Sequence, residues 1–188
     1  ATSSSATNSL NIGNLIFGTG LDGSGTTLST GNLGIGNTSP ASRLDITNSA
    51  TSSAAITLRD PLGNVSLELR ASTATLQNTF VGRYVGRINT TGYENTVIGS
   101  DSFISNTTGF YNTLVGDSVF GFNTTGDSNI AMGAQTMYYN TTGARNTTYG
   151  TFALQSNTIG NNNTAVGYLN GYGNTTGNYN IFLGSQAG

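Results

Sequence analysis

NTVIGSDSFISNTTGFYNTLVGDSVFGFNTTGDSNIAMG, residues 95–133, repeats itself every 17 residues, and the rest of the second half follows suit. Asn95, Asn112 and Asn129 belong to a series of seven completed by Asn78, Asn146, Asn163 and Asn180. Four residues after each stands a glycine: Gly82, Gly99, Gly116, Gly133, Gly150, Gly167 and Gly184. Eleven residues after each of the first six begins Asn-Thr-Thr-Gly, at Asn89, Asn106, Asn123, Asn140 and Asn174, or Asn-Thr-Ile-Gly at Asn157. Numbered from the first asparagine, the unit has Asn at positions 1 and 12 and Gly at positions 5 and 15. A short period kept without insertions is the signature of a solenoid, in which each repeat is one coil stacked on the last. One coil of 17 residues cannot bury a core alone, so the array is the fold.

The coils read as strands. Two glycines and two asparagines per unit weaken helices and suit turns that need a left-handed residue. The apolar runs between them, such as Thr79-Phe80-Val81 and Thr96-Val97-Ile98, are short and rich in β-branched and aromatic types. Seventeen extended residues span about 55 Å, room for two or three short strands with their turns. The chain is therefore expected to be all-β, a parallel β-solenoid or β-roll of six and a half 17-residue coils over 78–188.

Adjacent columns of the repeat are both apolar. Position 4 holds Val81, Ile98, Val115, Met132, Tyr149, Val166 and Leu183, and position 3 holds Phe80, Val97, Leu114, Ala131, Thr148, Ala165 and Phe182. Neighbouring strand residues point to opposite faces, so this strand is expected to be covered on both sides. One candidate for the cover is the chain's own N-terminal region; the favoured one is another copy of the chain. Val81, Val97, Ile98, Leu114, Val115, Met132, Val166, Phe182 and Leu183 are the expected inter-chain core.

Asn163-Thr164-Ala165-Val166-Gly167 and Asn95-Thr96-Val97-Ile98-Gly99, each followed by a second glycine turn, resemble the head repeats of trimeric autotransporter adhesins. The unit here is longer than the usual repeat of that family. Gly31-Asn32-Leu33-Gly34-Ile35-Gly36-Asn37-Thr38-Ser39-Pro40, continuing to Arg43-Leu44-Asp45-Ile46, resembles a segment of phage and bacterial fibre proteins that often end in an endosialidase-type chaperone domain. Phe80-Val81-Gly82 and Phe182-Leu183-Gly184-Ser185-Gln186-Ala187-Gly188 are similar to their repeats. The likeness covers roughly residues 31–46 and 78–188. It implies a left-handed, homotrimeric β-roll with inner strands around one axis, in an extracellular appendage or a virion tail.

Before the repeats, residues 1–9 read as a Ser/Thr/Ala linker or processed tract, and 10–77 as a β-rich fibre region. Leu10–Phe17 and Leu28–Ile35 form a β-like pair of segments, 47–54 a polar linker. Ala55–Leu58 and Val65–Leu69 alternate at period two around Asp60-Pro61-Leu62-Gly63-Asn64, a hairpin signal. The chain begins without methionine and stops in mid-repeat at Gly188, which reads as a piece of something longer, with a cap or domain expected to follow.

Charged residues make up only 7% of the chain and the net charge is −2, so no basic surface invites nucleic acid or anionic lipid. No run approaches the ~18 apolar residues of a membrane span. With no histidine and no cysteine, Ser-His or Cys-His nucleophiles and imidazole or thiolate metal sites are excluded, and no cofactor is indicated. A paired-carboxylate polysaccharide-cleaving tail spike is an alternative, with Glu94, Asp101, Asp117 and Asp127 as candidates, though they occupy different columns. Asn-Thr-Thr at 89, 106, 123, 140, 146 and 174 matches a glycosylation acceptor, against which stands turn chemistry with stacked amide ladders. The column Thr90, Thr107, Thr124, Thr141, Thr158 and Thr175 suggests ice binding as a further alternative. It lies beside turn residues and lacks the Thr-x-Thr alternation of a flat strand face.

Of the aromatics in the variable segment, Tyr84, Phe103, Phe120, Phe122, Tyr138, Tyr139, Phe152, Tyr168 and Tyr172, most are expected in the core. Tyr138, Tyr139, Tyr168 and Tyr172 are the candidate ligand contacts, since aromatic faces stack on sugars and on protein surfaces alike. The expected role is a non-enzymatic fibre segment mediating attachment to a surface glycan or host receptor, as a phage tail fibre or a bacterial surface adhesin.

The position 5 glycines are expected to be conformational. Gly99→Ala or Gly116→Ala should cost about 1 kcal/mol or more in chemical denaturation. Ordinary β geometry with room for a methyl group would contradict this.

Overall fold

A computed structural model of the chain describes residues 76–188 continuously and, before them, the strands between residues 10 and 70 together with Leu62. The tract 1–9 and residues 47–53 lie outside the described residues. Contact density divides the chain into two units, 1–50 and 51–188.

In the first unit, β1 (Leu10–Ile12), β2 (Ile16–Thr19), β3 (Asn32–Ile35) and β4 (Leu44–Ile46) form one sheet in chain order. The first two pairings are antiparallel and the third, β3 with β4, is parallel.

The second unit is a parallel β-solenoid. Its sheet runs β5 (Ala54–Arg59), β6 (Val65–Arg70), then β7 (Thr79–Val81), β8 (Thr96–Ile98), β9 (Thr113–Val115), β10 (Ile130–Met132), β11 (Thr147–Tyr149), β12 (Thr164–Val166) and β13 (Ile181–Leu183). The last seven strands pair in parallel with a register shift of 17, Val97 beside Leu114 and Leu114 beside Ala131. β5 and β6 pair antiparallel, with two irregularities in register, and β6 joins β7 antiparallel, with Leu69 opposite Val81. This pair continues the sheet at its edge beside the first coil.

Only one strand of three residues forms per coil, against the two or three anticipated. The backbone explains the difference. Among the described residues eighteen non-glycine residues have positive φ, and all fall at positions 7, 9 and 17 of the unit. Position 17 runs from Gln77 and Glu94 to Tyr179 at φ 50–58°, position 7 from Tyr84 to Gln186 at 52–61°. Position 9 includes Phe103, Phe120, Met137 and Leu154 at 46–56°. Each left-handed residue bends the chain, at a cost on the order of 1 kcal/mol. Hydrogen bonds between coils persist through these bends: Asp101 N donates to Arg83 O at 2.9 Å and Phe103 N to Val119 O at 3.0 Å. The constant asparagines, expected to supply left-handed geometry, are absent from these columns.

Position 5 does require glycine. Gly82, Gly99, Gly116, Gly133, Gly150 and Gly167 have φ of 132–144°, and a Cβ on Gly116 would lie 2.6 Å from Gly133 O of the next coil. Both strain and a backbone clash oppose a side chain there.

Inside the coil, position 3 faces position 9, and the largest residues at position 3 go with the smallest at position 9. Val97, Leu114, Ala131 and Thr148 share their coils with Phe103, Phe120, Met137 and Leu154, all fully buried. Where position 3 is phenylalanine, position 9 is glycine: Phe80 with Gly86, Phe182 with Gly188. A Cβ on Gly86 would meet the Phe80 ring at 2.6 Å. In the sixth coil Ala165 and Gly171 are both small, and side chains of the neighbouring coils fill the space: a Cβ on Gly171 would lie 2.7 Å from the Phe182 ring and 2.9 Å from Leu154, so density is kept along the stack. Where position 8 is polar, it bonds to the next coil: Ser102 Oγ donates to Gly116 O at 2.8 Å and Thr136 Oγ1 to Gly150 O at 2.7 Å.

This reciprocity is testable by a swap. Phe80→Ala alone opens a cavity worth about 3–5 kcal/mol, and Gly86→Met alone overfills the coil by about 1–3 kcal/mol. Together they recreate the Ala131/Met137 pair, and Met137 already occupies the same left-handed geometry (φ 49°) as Gly86 (φ 55°). The double variant should be more stable than Phe80→Ala by at least about 1 kcal/mol in denaturant melts. Additive losses would contradict the pairing.

Candidate functional site

The outward face of the β7–β13 sheet is set by strand alternation. In each strand the middle residue, position 3, points inward, while positions 2 and 4 point out. Val97 and Leu114 are therefore part of the chain's own core, and Phe182 packs against that core. Their assignment to an inter-chain core is corrected: both columns are apolar, but only one of them faces outward. Val81, Ile98, Val115, Met132, Val166 and Leu183, with Tyr149, line the outside. Ile98 is 43% exposed, Val166 40% and Leu183 65%, a continuous apolar column along seven strands. Beside it, position 2 carries Thr79, Thr96, Thr113, Ile130, Thr147, Thr164 and Ile181. The position 2 threonine hydroxyls make no hydrogen bond to a described residue.

The constant Asn-Thr-Thr-Gly turn is wholly occupied with structure. Asn112 Nδ2 donates to Asn95 Oδ1 at 3.0 Å and to Gly126 O at 3.0 Å. Asn123 Nδ2 donates to Asn106 Oδ1 at 2.8 Å and to the same Gly126 O at 3.2 Å. The pattern recurs in every coil, so two amide ladders converge on one glycine carbonyl at position 15: Gly92, Gly109, Gly126, Gly143, Gly160 or Gly177. Asn106, Asn123, Asn140 and Asn146 are fully buried, which removes these acceptor-pattern asparagines from the folded surface. The threonine column is also used internally: Thr107 Oγ1 donates to Thr124 O at 3.1 Å and Thr124 Oγ1 to Thr141 O at 3.0 Å. It binds coil to coil and is not a free hydroxyl array.

The aromatics fall mostly outside the core, contrary to expectation. Phe103 and Phe120 are buried; Tyr84, Phe122, Tyr139, Tyr168 and Tyr172 are 37–49% exposed. Six rings of the chain form two clusters of the same design, a stacked pair one coil apart with a third ring set edge-on. Tyr93 and Phe110 stack at 4.9 Å with Tyr111 across both, and Phe122 and Tyr139 stack at 5.7 Å with Tyr138 across both. Burial and the neighbouring Tyr111 push the Tyr93 phenol up from its ordinary value. Tyr168 sits apart from Tyr138 and Tyr139, edge-on to Phe152 at 6.1 Å, and Tyr172 lies in a shallow hollow of about 480 Å³ with Leu169 and Gln186. The four candidate tyrosines thus do not form one site.

The carboxylates are spread around the coil. Glu94 holds position 17, Asp101 position 7, Asp117 position 6 and Asp127 position 16. Asp101 accepts a hydrogen bond from the Arg83 guanidinium, which lifts the Arg83 pKa above its ordinary value. Among the described residues no three His, Cys, Asp or Glu side chains cluster, and no helix is long and apolar enough to cross a membrane. Comparison with protein-family models, with characterised proteins and with solved structures finds no match to this chain.

The ladder makes a quantitative demand. Asn112→Ala removes the acceptor of Asn129 N and Nδ2, both at 3.0–3.1 Å, and one donor to Gly126 O. Buried groups left unpaired cost about 1–3 kcal/mol each, so a loss of roughly 3–6 kcal/mol is expected in urea unfolding. Asn178, exposed and bonded to Asn161 at 2.7 Å, is the control: Asn178→Ala should stay within about 0.5 kcal/mol. A loss under about 1 kcal/mol at Asn112 would show the ladder to be dispensable.

Proposed function

We propose that this solenoid is a non-enzymatic segment of a homotrimeric extracellular fibre, a left-handed β-roll, that attaches its bearer to a surface. The observation that carries the reading is the outward apolar column from Val81 to Leu183, repeated without interruption over seven strands. An apolar stripe of this regularity on a sheet face suits a partner with the same spacing, and a second copy has it. The trimer follows from the likeness to trimeric adhesin heads, where inner strands meet around one axis. A phage tail fibre and a bacterial surface adhesin are the two settings, with a surface glycan or host receptor as the target. Many weak contacts along a multi-copy fibre suffice for adhesion through effective concentration.

Two other readings are weaker. A tail-spike glycosidase needs two carboxyls at one cleft, whereas the four acids here occupy four different columns, with Asp101 held by Arg83. Ice binding is favoured by one specific observation, the position 2 threonines beside the apolar column, whose hydroxyls make no hydrogen bond among the described residues. That face is the one assigned to the other copies, so thermal hysteresis by the intact protein would favour ice over assembly.

Light scattering should give a species about three times the 19.3 kDa chain. Val115→Asp or Val166→Asp should release folded monomers, because both side chains point out of the coil while burial of a bare charge at an interface costs several kcal/mol. Val97→Asp should instead unfold the coil, since Val97 is fully buried. A folded monomer of the unaltered chain at every concentration would end the assembly reading.

A further inference from the structure

We propose that Arg83, Tyr84 and Arg87 on the first coil form a binding site for a carboxylate-bearing saccharide. Both guanidiniums lie against one ring: Arg83 Cζ is 5.2 Å and Arg87 Cζ 5.4 Å from the centroid of Tyr84. Two like charges on one ring repel, and among the described residues only one of them meets an acid. Arg83 is bonded to Asp101 of the next coil, while Arg87 makes no ion pair with a described residue. Arg87 is exposed, its neighbour Ile88 is 48% exposed and Tyr84 is 37% exposed. Along the coils that follow, residues 88–188 hold four acids and a single arginine, Arg145.

The chemistry of the ligand follows from this count. Among the described residues one guanidinium, that of Arg87, meets no acid; it matches one carboxylate, which it would grip through two parallel N–H···O bonds. A nucleic acid needs a broad basic track, and a chain of net charge −2 offers none. A phosphate carries more charge than the site leaves unanswered. The partly exposed Tyr84 ring under the guanidiniums and the exposed Ile88 next in sequence to Arg87 suit the mixed polar and apolar faces of a sugar ring. Uronic-acid units of an acidic polysaccharide meet each of these terms. A single such contact is weak, on the order of millimolar. Its usefulness therefore rests on the multi-copy fibre proposed above, in which several first coils engage one polymer.

The test is arginine side-chain NMR of the whole chain, titrated with trigalacturonic acid, with neutral maltotriose and with inorganic phosphate. Saturable shifts of the Arg87 and Arg83 Nε–H signals are expected with trigalacturonic acid alone. Arg87→Gln should weaken that binding at least tenfold, and Arg145→Gln should leave it unchanged. No saturable shift, an undiminished shift in Arg87→Gln, or an equal response to phosphate or maltotriose would overturn the site. Polymeric galacturonate separates this proposal from the fibre reading. An apparent affinity gain of tenfold or more over the trimer sugar is expected if the chains assemble. Binding of trigalacturonic acid with no gain would leave the site standing and count against the fibre.

Discussion

One carbonyl per coil holds the repeat together. The position 15 glycine, such as Gly126, accepts from the position 1 asparagine that opens its coil and from the position 12 asparagine three residues before it. Each of those amides also bonds to its counterpart one coil back, so every coil is tied to itself and to its neighbour through the same side chains. The node also forbids a side chain at position 15. A Cβ on Gly109 would lie 2.5 Å from Gly126 O and closer still to Asn106 Oδ1. Fixed asparagines and a fixed glycine admit no insertion between them, which is why the period stays at 17. Buried amides are costly when unpaired, so this polar node stabilises the coil only because it closes completely.

With the corners fixed by amides, the rest of the coil is free to vary in identity so long as the stack stays filled. The largest residues at position 3 go with the smallest at position 9, and the three left-handed columns accept Tyr, Asp, Ser, Gln, Phe or Leu at modest strain. The tight bends leave only one short strand per coil. That strand buries one face on the chain's own interior and turns the other, apolar and regular, outward.

The period, the need for glycine at position 5 and the stacking of asparagine amides were legible in the sequence, because each rests on residues constant in every copy. Which of the two apolar columns faces inward was not. Alternation says that positions 3 and 4 point opposite ways and is silent on which is inside, so Val97 and Leu114 were placed at an interface when they fill the core. A signal was present: Phe80 with Gly86 and Phe182 with Gly188 mark positions 3 and 9 as facing partners. The left-handed columns carried no such signal, since side chains from Ser118 to Phe152 adopt the geometry and nothing in their identity announces it. The aromatics misled for a related reason, because ring size suggests a core, and the core has room for rings at positions 3 and 9.

The central claim is that position 3 belongs to one chain's interior and position 4 to a contact between chains. The protein has no cysteine, so single thiols report each position cleanly. Rates of thiol labelling on Ala165→Cys and Val166→Cys, followed over a wide range of protein concentration, separate the two. The account predicts that the thiol at 165 stays protected at every concentration, while that at 166 is protected when concentrated and reacts freely on dilution. Equal, concentration-independent labelling at 166 would contradict it.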